Sequence, residues 1–518
     1  MKKELNIPVS PVIAGDQDKL KDFISGNLKI EKTRISGILI RRRSIDARKS
    51  NILVNLGLEV FIDEKMPEIK KPVFSYADVS KKTPVIIVGA GPAGLFSALH
   101  LIELGYKPII VERGKPVNER KKDIAAIYHD HLINPDSNYG FGEGGAGTFS
   151  DGKLFTRSKK RGDVNKILEV LHFHGGQDEI LIEAHPHIGT NVLPRIITSM
   201  RNSILGAGGE ILFNSRVTDL ILKNGEASGV ILKDGSSLEG IAVVLATGHS
   251  ARDIYYLLDQ KGIALESKSF AVGVRVEHPQ DLINYIQYHG SQYGNYLPPA
   301  IYSFVEQVHG RGVYSFCMCP GGVVVPASTA PGELVVNGMS SSERGGPFAN
   351  SGMVVEIHTE DLSTEYLKHG KFAGLEFQTE IEKKCFLQAG NTQFAPSQRL
   401  DDFIHNRISS DLPKSSYRPG LVSSPLHQWL PEIIRPRLQD GFKLMGKKAK
   451  GFITNEALIL GVESRTSSPV RIPRNHETLE HIQIKRLFPC GEGAGYAGGI
   501  VSSAIDGERV AEMIAKMW

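Results

Sequence analysis

The run Pro84-Val85-Ile86-Ile87-Val88-Gly89-Ala90-Gly91-Pro92-Ala93-Gly94 limits the possible folds of this chain more than any other feature. An apolar strand precedes the glycines, a helical stretch from Leu95 to Leu104 follows them, and a second strand ends in Val111-Glu112. A G-x-G-x-x-G in this strand–turn–helix–strand setting predicts a dinucleotide-binding unit. Gly89 permits the tight turn, Gly91 lets the backbone approach a pyrophosphate, and Gly94 lets the helix pack on the strand. Pro92 and Ala93 open that helix, whose free N–H groups and positive dipole end face the phosphates. Glu112 is placed to accept hydrogen bonds from ribose hydroxyls and to repel a 2′-phosphate, with Arg113 beside it.

The far end of the chain distinguishes FAD from NAD. Leu487-Phe488-Pro489-Cys490-Gly491-Glu492-Gly493-Ala494-Gly495-Tyr496-Ala497-Gly498-Gly499-Ile500 precedes a helical stretch. It resembles the carboxy-terminal flavin motif of two-part FAD proteins, with Glu492 where aspartate is commoner. The helix starting near Gly499 would aim its positive end at the flavin and stabilise a reduced, negatively charged form. Ile241 to Gly248 ends in Ala246-Thr247-Gly248, which resembles the segment that returns the FAD domain to the dinucleotide. Ile211 to Val217 resembles the strand whose end meets adenine through the Val217 backbone.

Between these pieces lies Tyr139-Gly140-Phe141-Gly142-Glu143-Gly144-Gly145-Ala146-Gly147-Thr148-Phe149-Ser150-Asp151-Gly152-Lys153-Leu154. A backbone so rich in glycine can wrap closely around a ligand. Gly147, Thr148 and Ser150 are expected to supply amide and hydroxyl donors, and Lys153 a cation near the pyrophosphate or flavin edge. No second G-x-G-x-x-G in strand context appears, so a separate NAD(P) domain is not expected.

A length of 518 residues implies several domains. The expected fold is α/β: a Rossmann-like FAD-binding domain with a parallel sheet, an α+β substrate domain with a mixed or antiparallel sheet, and a small N-terminal α+β domain. The boundaries read as 1–80, 81–264, 265–460 and 461–518, with Met66 to Lys82 a linker and a short helix over Asp16 to Ser25. The net charge of +4 implies no nucleic-acid partner by itself. Residues 1–82, however, hold 17 basic against 11 acidic side chains, leaving the remainder at −2. Apolar runs are strand-length, so no membrane partner is expected, and the chain reads as cytoplasmic.

Four cysteines make no disulfide framework. In strand geometry Cys317 and Cys319 would point to one face, either as two small buried residues or as a flavin-facing thiol. His172, His174, His185 and His187 lack carboxylate or cysteine companions at ligand spacing, so no metal is expected.

On these motifs, together with Ser44 to Arg48, Phe270 to Pro279, Phe316 to Gly322 and Gly461 to Arg471, the chain resembles a family of bacterial NAD(FAD)-utilising dehydrogenase-like proteins. That family belongs to the glutathione-reductase-type flavoprotein superfamily. The resemblance implies FAD binding and redox activity, and no substrate. Candidates for chemistry beside a non-covalent flavin are Arg275 and Arg465 with Thr466 for an anionic substrate, His278 or Tyr496 for a proton, and Cys319 as a flavin-facing thiol. The leading expectation is an FAD-dependent oxidoreductase acting on a small substrate or reductant, with NADH a possible transient donor. Alternatives are a tRNA-modifying type of flavoprotein using the basic first domain, and a flavin-holding scaffold without turnover. Oligomeric state stays open.

Overall fold

The computed structural model describes residues 1–68, 71–156, 162–291 and 294–518; positions 69 and 70 of the expected linker lie outside the described residues. The architecture is mixed α/β, with a five-stranded parallel sheet and a seven-stranded mixed sheet as its largest layers.

The parallel sheet has the order Leu487–Pro489, Val243–Leu245, Pro84–Val88, Lys107–Val111, Glu210–Leu212. Val85 to Val88 are buried, as expected of a strand covered on both faces. Val88 pairs with Leu245, and Leu245 with Pro489, all parallel. Three strands from the beginning, middle and end of the chain therefore finish side by side at one edge. In open parallel sheets that edge is where ligands bind.

Helices Pro92–Glu103 and Ile500–Met517 pack closely on one another. A Cβ at Gly507 would lie 2.2 Å from the Ala93 carbonyl oxygen, so only glycine allows this approach. The contact brings the N-termini of both helices to the same sheet edge.

The seven-stranded sheet runs Val305–Val308, Arg311–Cys319, Phe348–Ile357, Phe270–Pro279, Leu458–Glu463, Ala395–Arg399, Leu421–Ser423. All of its pairs are antiparallel except the last. The expected boundary at 460 falls inside strand Leu458–Glu463, whose residues are all buried. Its period-2 pattern is hidden because both faces are covered.

The first domain is a three-stranded antiparallel sheet, Lys2–Val9, Leu53–Ile62, Ile35–Asp46, with helix Gln17–Leu28. The strand Lys2–Val9 was not expected, because its first residues are charged and exposed; only Ile7 and Val9 are buried. Several basic side chains of this domain are paired within the chain, Arg43 with an acid from outside the domain. Arg41 pairs with Glu59 at 2.8 Å, Arg43 with Glu183 at 2.5 Å, and Arg48 with Asp46 at 2.5 Å. Among the described residues, no helix is long and apolar enough to cross a membrane.

Candidate functional site

A cleft of about 340 Å³ opens at the shared sheet edge. Of the residues expected around a cofactor, Gly89, Gly91, Pro92, Ala93, Glu112, Arg113, Gly147, Ser150, Lys153, Val217, Ala246, Thr247, Gly248, Glu492, Gly498, Gly499 and Ile500 line it. Segments separated by some 400 positions thus enclose one cavity.

The turn after the first strand is dictated by backbone crowding. Gly89 has φ +108°, and a Cβ there would sit 2.4 Å from the Ala246 carbonyl. Gly91, by contrast, would meet nothing nearer than the Gly145 Cα at 3.9 Å. It leaves open space rather than filling a clash. Gly498 and Gly499 likewise have no heavy atom within 4 Å of a built Cβ. Helix Pro92–Glu103 begins at Gly91 and helix Ile500–Met517 at Gly499, and neither has a side-chain cap. Two sets of unpaired N–H groups therefore face one cleft, a ready anion site. The Thr247 hydroxyl is buried in the wall with no partner among the described residues. Such a group costs about 1–3 kcal/mol unless a ligand or water satisfies it. These features fit a dinucleotide: the helix ends and glycines would hold its pyrophosphate.

Four expected contacts are corrected. Gly94 does not line the cleft; a Cβ there would lie 2.0 Å from the Gly89 carbonyl, so it keeps only the packing role expected of it. Thr148 is fully buried, its hydroxyl donating to the Glu143 carbonyl at 2.8 Å, and does not reach the cavity. The Gly491 amide donates to Asp506 at 2.8 Å, so this residue forms the turn and leaves the wall to Cys490 and Glu492. Glu112 does line the cleft, but its carboxylate already accepts three backbone amides, from Ala90 (2.9 Å), Gly114 (2.9 Å) and Gly142 (3.0 Å). Much of the capacity expected for ribose is spent tying the glycine turn to the loop beyond it.

That loop is organised by Arg120, a residue with no motif to announce it. Fully buried, its guanidinium donates to the carbonyls of Asn138 (2.6 Å), Tyr139 (2.8 Å), Glu143 (2.8 Å) and Gly145 (2.9 Å). It also lies over the Phe149 ring at 5.0 Å. Burial pushes its pKa down to about 10, which still leaves it charged at neutral pH.

Most chemistry candidates are corrected as well. Arg275 is wholly buried outside the cleft, paired with Glu463 at 2.9 Å and donating to Asn350, Asn337 and the Cys317 carbonyl. It has no donor left for a substrate. His278 is buried with Nε2 on the Phe452 carbonyl at 2.8 Å, and burial pushes its pKa down to about 4. The Tyr496 hydroxyl accepts the Arg474 amide at 3.0 Å, and the Arg474 guanidinium covers its ring at 3.9 Å. It is a strut outside the lining. Arg465 does reach the cleft, but Glu333 (2.7 Å), Glu382 (2.8 Å), Ser250 and Thr329 take its donors. With Arg252, which bridges the same two carboxylates at 2.8 Å each, it closes a neutral quartet.

The thiols depart from strand alternation. A bulge between Phe316 and Cys319 breaks the register with the neighbouring strand, and Cys317 adopts φ +46°. A non-glycine residue there costs about 1–2 kcal/mol. The kink turns Cys317 to the cleft and leaves Cys319 fully buried behind it. Cys317, not Cys319, is the cavity-facing thiol. Phe316, Asn337, His249 and Ser250 also line the cleft, and of these only Phe316 lies in a stretch singled out from the sequence.

Three of the histidines weighed for a metal sit on separate partners. His172 bonds Asp178, His174 the Val170 carbonyl, and His187 the Ser342 carbonyl. No metal-holding group of side chains occurs among the described residues.

Residues 82–125 match the family described as an FAD binding domain, and residues 269–466 match the C-terminal domain-like family of FAD-dependent proteins. Residues 1–61 match a domain of unknown function. Fold and matches together define a flavoprotein with an FAD-binding domain. An uncharacterized protein of Clostridium beijerinckii is 40% identical over 518 residues, covering 96% of both chains. This chain belongs to the same family as that protein. A thiamine thiazole synthase of Aeropyrum pernix is 27% identical over 225 residues, 40% of this chain and 70% of that one. Among solved structures, CtdE in complex with FAD has a TM-score of 0.32 at 13% identity, covering 84% of each chain. Glycine oxidase from Bacillus cereus has a TM-score of 0.30 at 15% identity, covering 84% of this chain and 96% of that one.

Proposed function

We propose that the chain is an FAD-dependent oxidoreductase of the dehydrogenase type, holding FAD non-covalently and acting on a small molecule, with NADH a candidate electron donor. We place it with the glutathione-reductase-type flavoproteins. The observation that carries this reading is the convergence of two uncapped helix N-termini and the orphaned Thr247 hydroxyl on one cleft, in a chain with an FAD-binding domain.

Bound flavin supplies hydride or single-electron transfer; the protein supplies orientation and electrostatics. The amides after Gly91 and Gly499 would bind phosphate and the negative edge of the cofactor. Glu492, half-buried in the wall, has its pKa pushed up to about 7 by desolvation, so its carboxyl can hold or release a proton near neutrality. His249 is kept neutral by burial and by Arg465, its pKa pushed down to about 4. The Arg465 quartet fixes the Arg465 side chain in the lining, beside Ser250.

The test is direct. Purified protein is expected to be yellow, with flavin absorbance and FAD released on denaturation, and anaerobic addition of NADH or another reductant is expected to bleach it. A colourless protein that takes up no added FAD refutes the reading.

A further inference from the structure

The cleft holds more than its glycine turns require. At the end formed by Phe316 and Cys317, two thiols lie among an excess of cations. Lys153 pairs with Asp151 at 3.0 Å, Arg344 pairs with the same carboxylate at 2.7 Å, and Arg275 pairs with Glu463 at 2.9 Å. Three cations share two carboxylates. The Cys319 sulfur lies 3.5 Å from Arg275 Nη2 and 4.0 Å from Lys153 Nζ. The exposed part of Lys153 faces the cavity that Cys317 also lines.

We propose that Cys317 and Cys319 form a redox-active dithiol–disulfide pair that exchanges an electron pair with the flavin held in this cleft. The inference rests on the FAD reading above and gives that site a protein-borne electron carrier.

Three observations converge on it. The backbone of Cys317 adopts a left-handed conformation, and unusual backbone conformations in non-glycine residues concentrate at functional sites. The resulting bulge presents one sulfur to the cavity and keeps the other directly behind it. Residues two apart have Cα atoms within about 7 Å, and a bulge shortens that span towards the range of an S–S bridge. Finally, the charge surplus favours a thiolate. The hydrogen bond from the Cys319 thiol, followed by Lys153 and Arg275, holds the Cys317 thiol well below its usual range, while the same bond and burial raise Cys319. Of the two sulfurs, the cavity-facing one is where these neighbours favour the charged form.

In the forward step the Cys317 thiolate and the Cys319 thiol form the S–S bond, Cys319 gives up its one proton, and two electrons and one proton pass to oxidised flavin, so that charge and protons balance with none left over. The reverse step opens the disulfide at the cost of reduced flavin.

The experiment uses the full chain loaded with FAD, treated with a mild thiol oxidant, desalted and titrated anaerobically with dithionite. Wild type is expected to take up twice as many electrons per flavin as Cys317→Ser, since the disulfide and the flavin are both two-electron couples. Peptide mapping is expected to show the 317–319 peptide two hydrogens lighter and resistant to alkylation until reduced. Cys319→Ser, which keeps the cavity-facing thiolate, is expected to add an absorption band to the red of the flavin bands that fades on acidification. Equal electron uptake in wild type and Cys317→Ser overturns the proposal. So does a 317–319 peptide that stays fully alkylatable, and this mapping needs no variant to fold. A chain that takes up no FAD overturns the flavoprotein reading and the electron exchange with it; its colourless spectrum separates that failure from one confined to the thiols.

Discussion

Along the wall built from the parallel sheet, hydrogen-bonding groups have no partner among the described residues: the Thr247 hydroxyl and the first amides of two uncapped helices. At Arg465, by contrast, Arg252, Glu333 and Glu382 stand behind the lining and the four satisfy one another, and Arg275, outside the cleft, is closed off by Glu463 and its amide neighbours. One wall has built-in demand for a ligand; the other is a finished internal structure. Affinity is accordingly expected to reside in backbone geometry on the first wall, and stability in paired charge on the second.

Substitutions on the two walls should therefore have opposite signatures. Arg465→Met leaves two buried carboxylates short of a partner and is expected to cost about 3–5 kcal/mol of stability, read by urea unfolding. Gly91→Val points into open cavity. It is expected to weaken FAD binding about 100-fold or more, close to 2.7 kcal/mol, while the flavin-free chain unfolds within about 1 kcal/mol of wild type. Were Gly91→Val to destabilise the flavin-free chain as strongly as Arg465→Met, the contrast between the walls would be lost.

Glu492 offers a pH readout of the first wall. Its folded pKa of about 7 lies above the ordinary value of 4.5. Native protein therefore binds a proton that unfolded chain has released, and flavin-free stability falls as pH rises from about 4.5 through 7. Glu492→Gln removes that slope. At pH 8 it is expected to be about 2–3 kcal/mol more stable than wild type, and near equal at pH 4, by unfolding at a series of pH values. The smallest effect is expected from Thr247→Val. Without ligand the change should be neutral or slightly stabilising, because an orphaned hydroxyl is removed, whereas FAD binding should weaken by about 1 kcal/mol, measurable by flavin titration.

What could be read from the chain alone follows from the range of the forces involved. The Gly89 turn, the Ala246-Thr247-Gly248 end and the Gly498-Gly499 helix start are local backbone requirements, so glycine spacing announces them. Arg120 holds the glycine loop through carbonyls 18 to 25 positions away, and a carbonyl has no sequence signature. Arg275 and His278 look like chemistry in a strand motif, yet their partners come from remote elements that close over them. The two cysteines were expected on one face because alternation is the default for a strand; a single bulge reversed their roles. The seven-stranded sheet was harder to delimit because strands buried on both faces lose their alternating pattern.

The closing strand and helix of the parallel-sheet domain carry one more consequence. Leu487–Pro489 supplies an outer strand of the sheet, and Ile500–Met517 supplies the second phosphate-facing helix end. A nascent chain can pair Pro84–Val88 with Lys107–Val111 as soon as both have emerged, but its cofactor pocket stays half-walled until Leu487–Pro489 and Ile500–Met517 have been translated. Flavin capture thus waits on those two elements, and products terminated before them are left without a complete pocket.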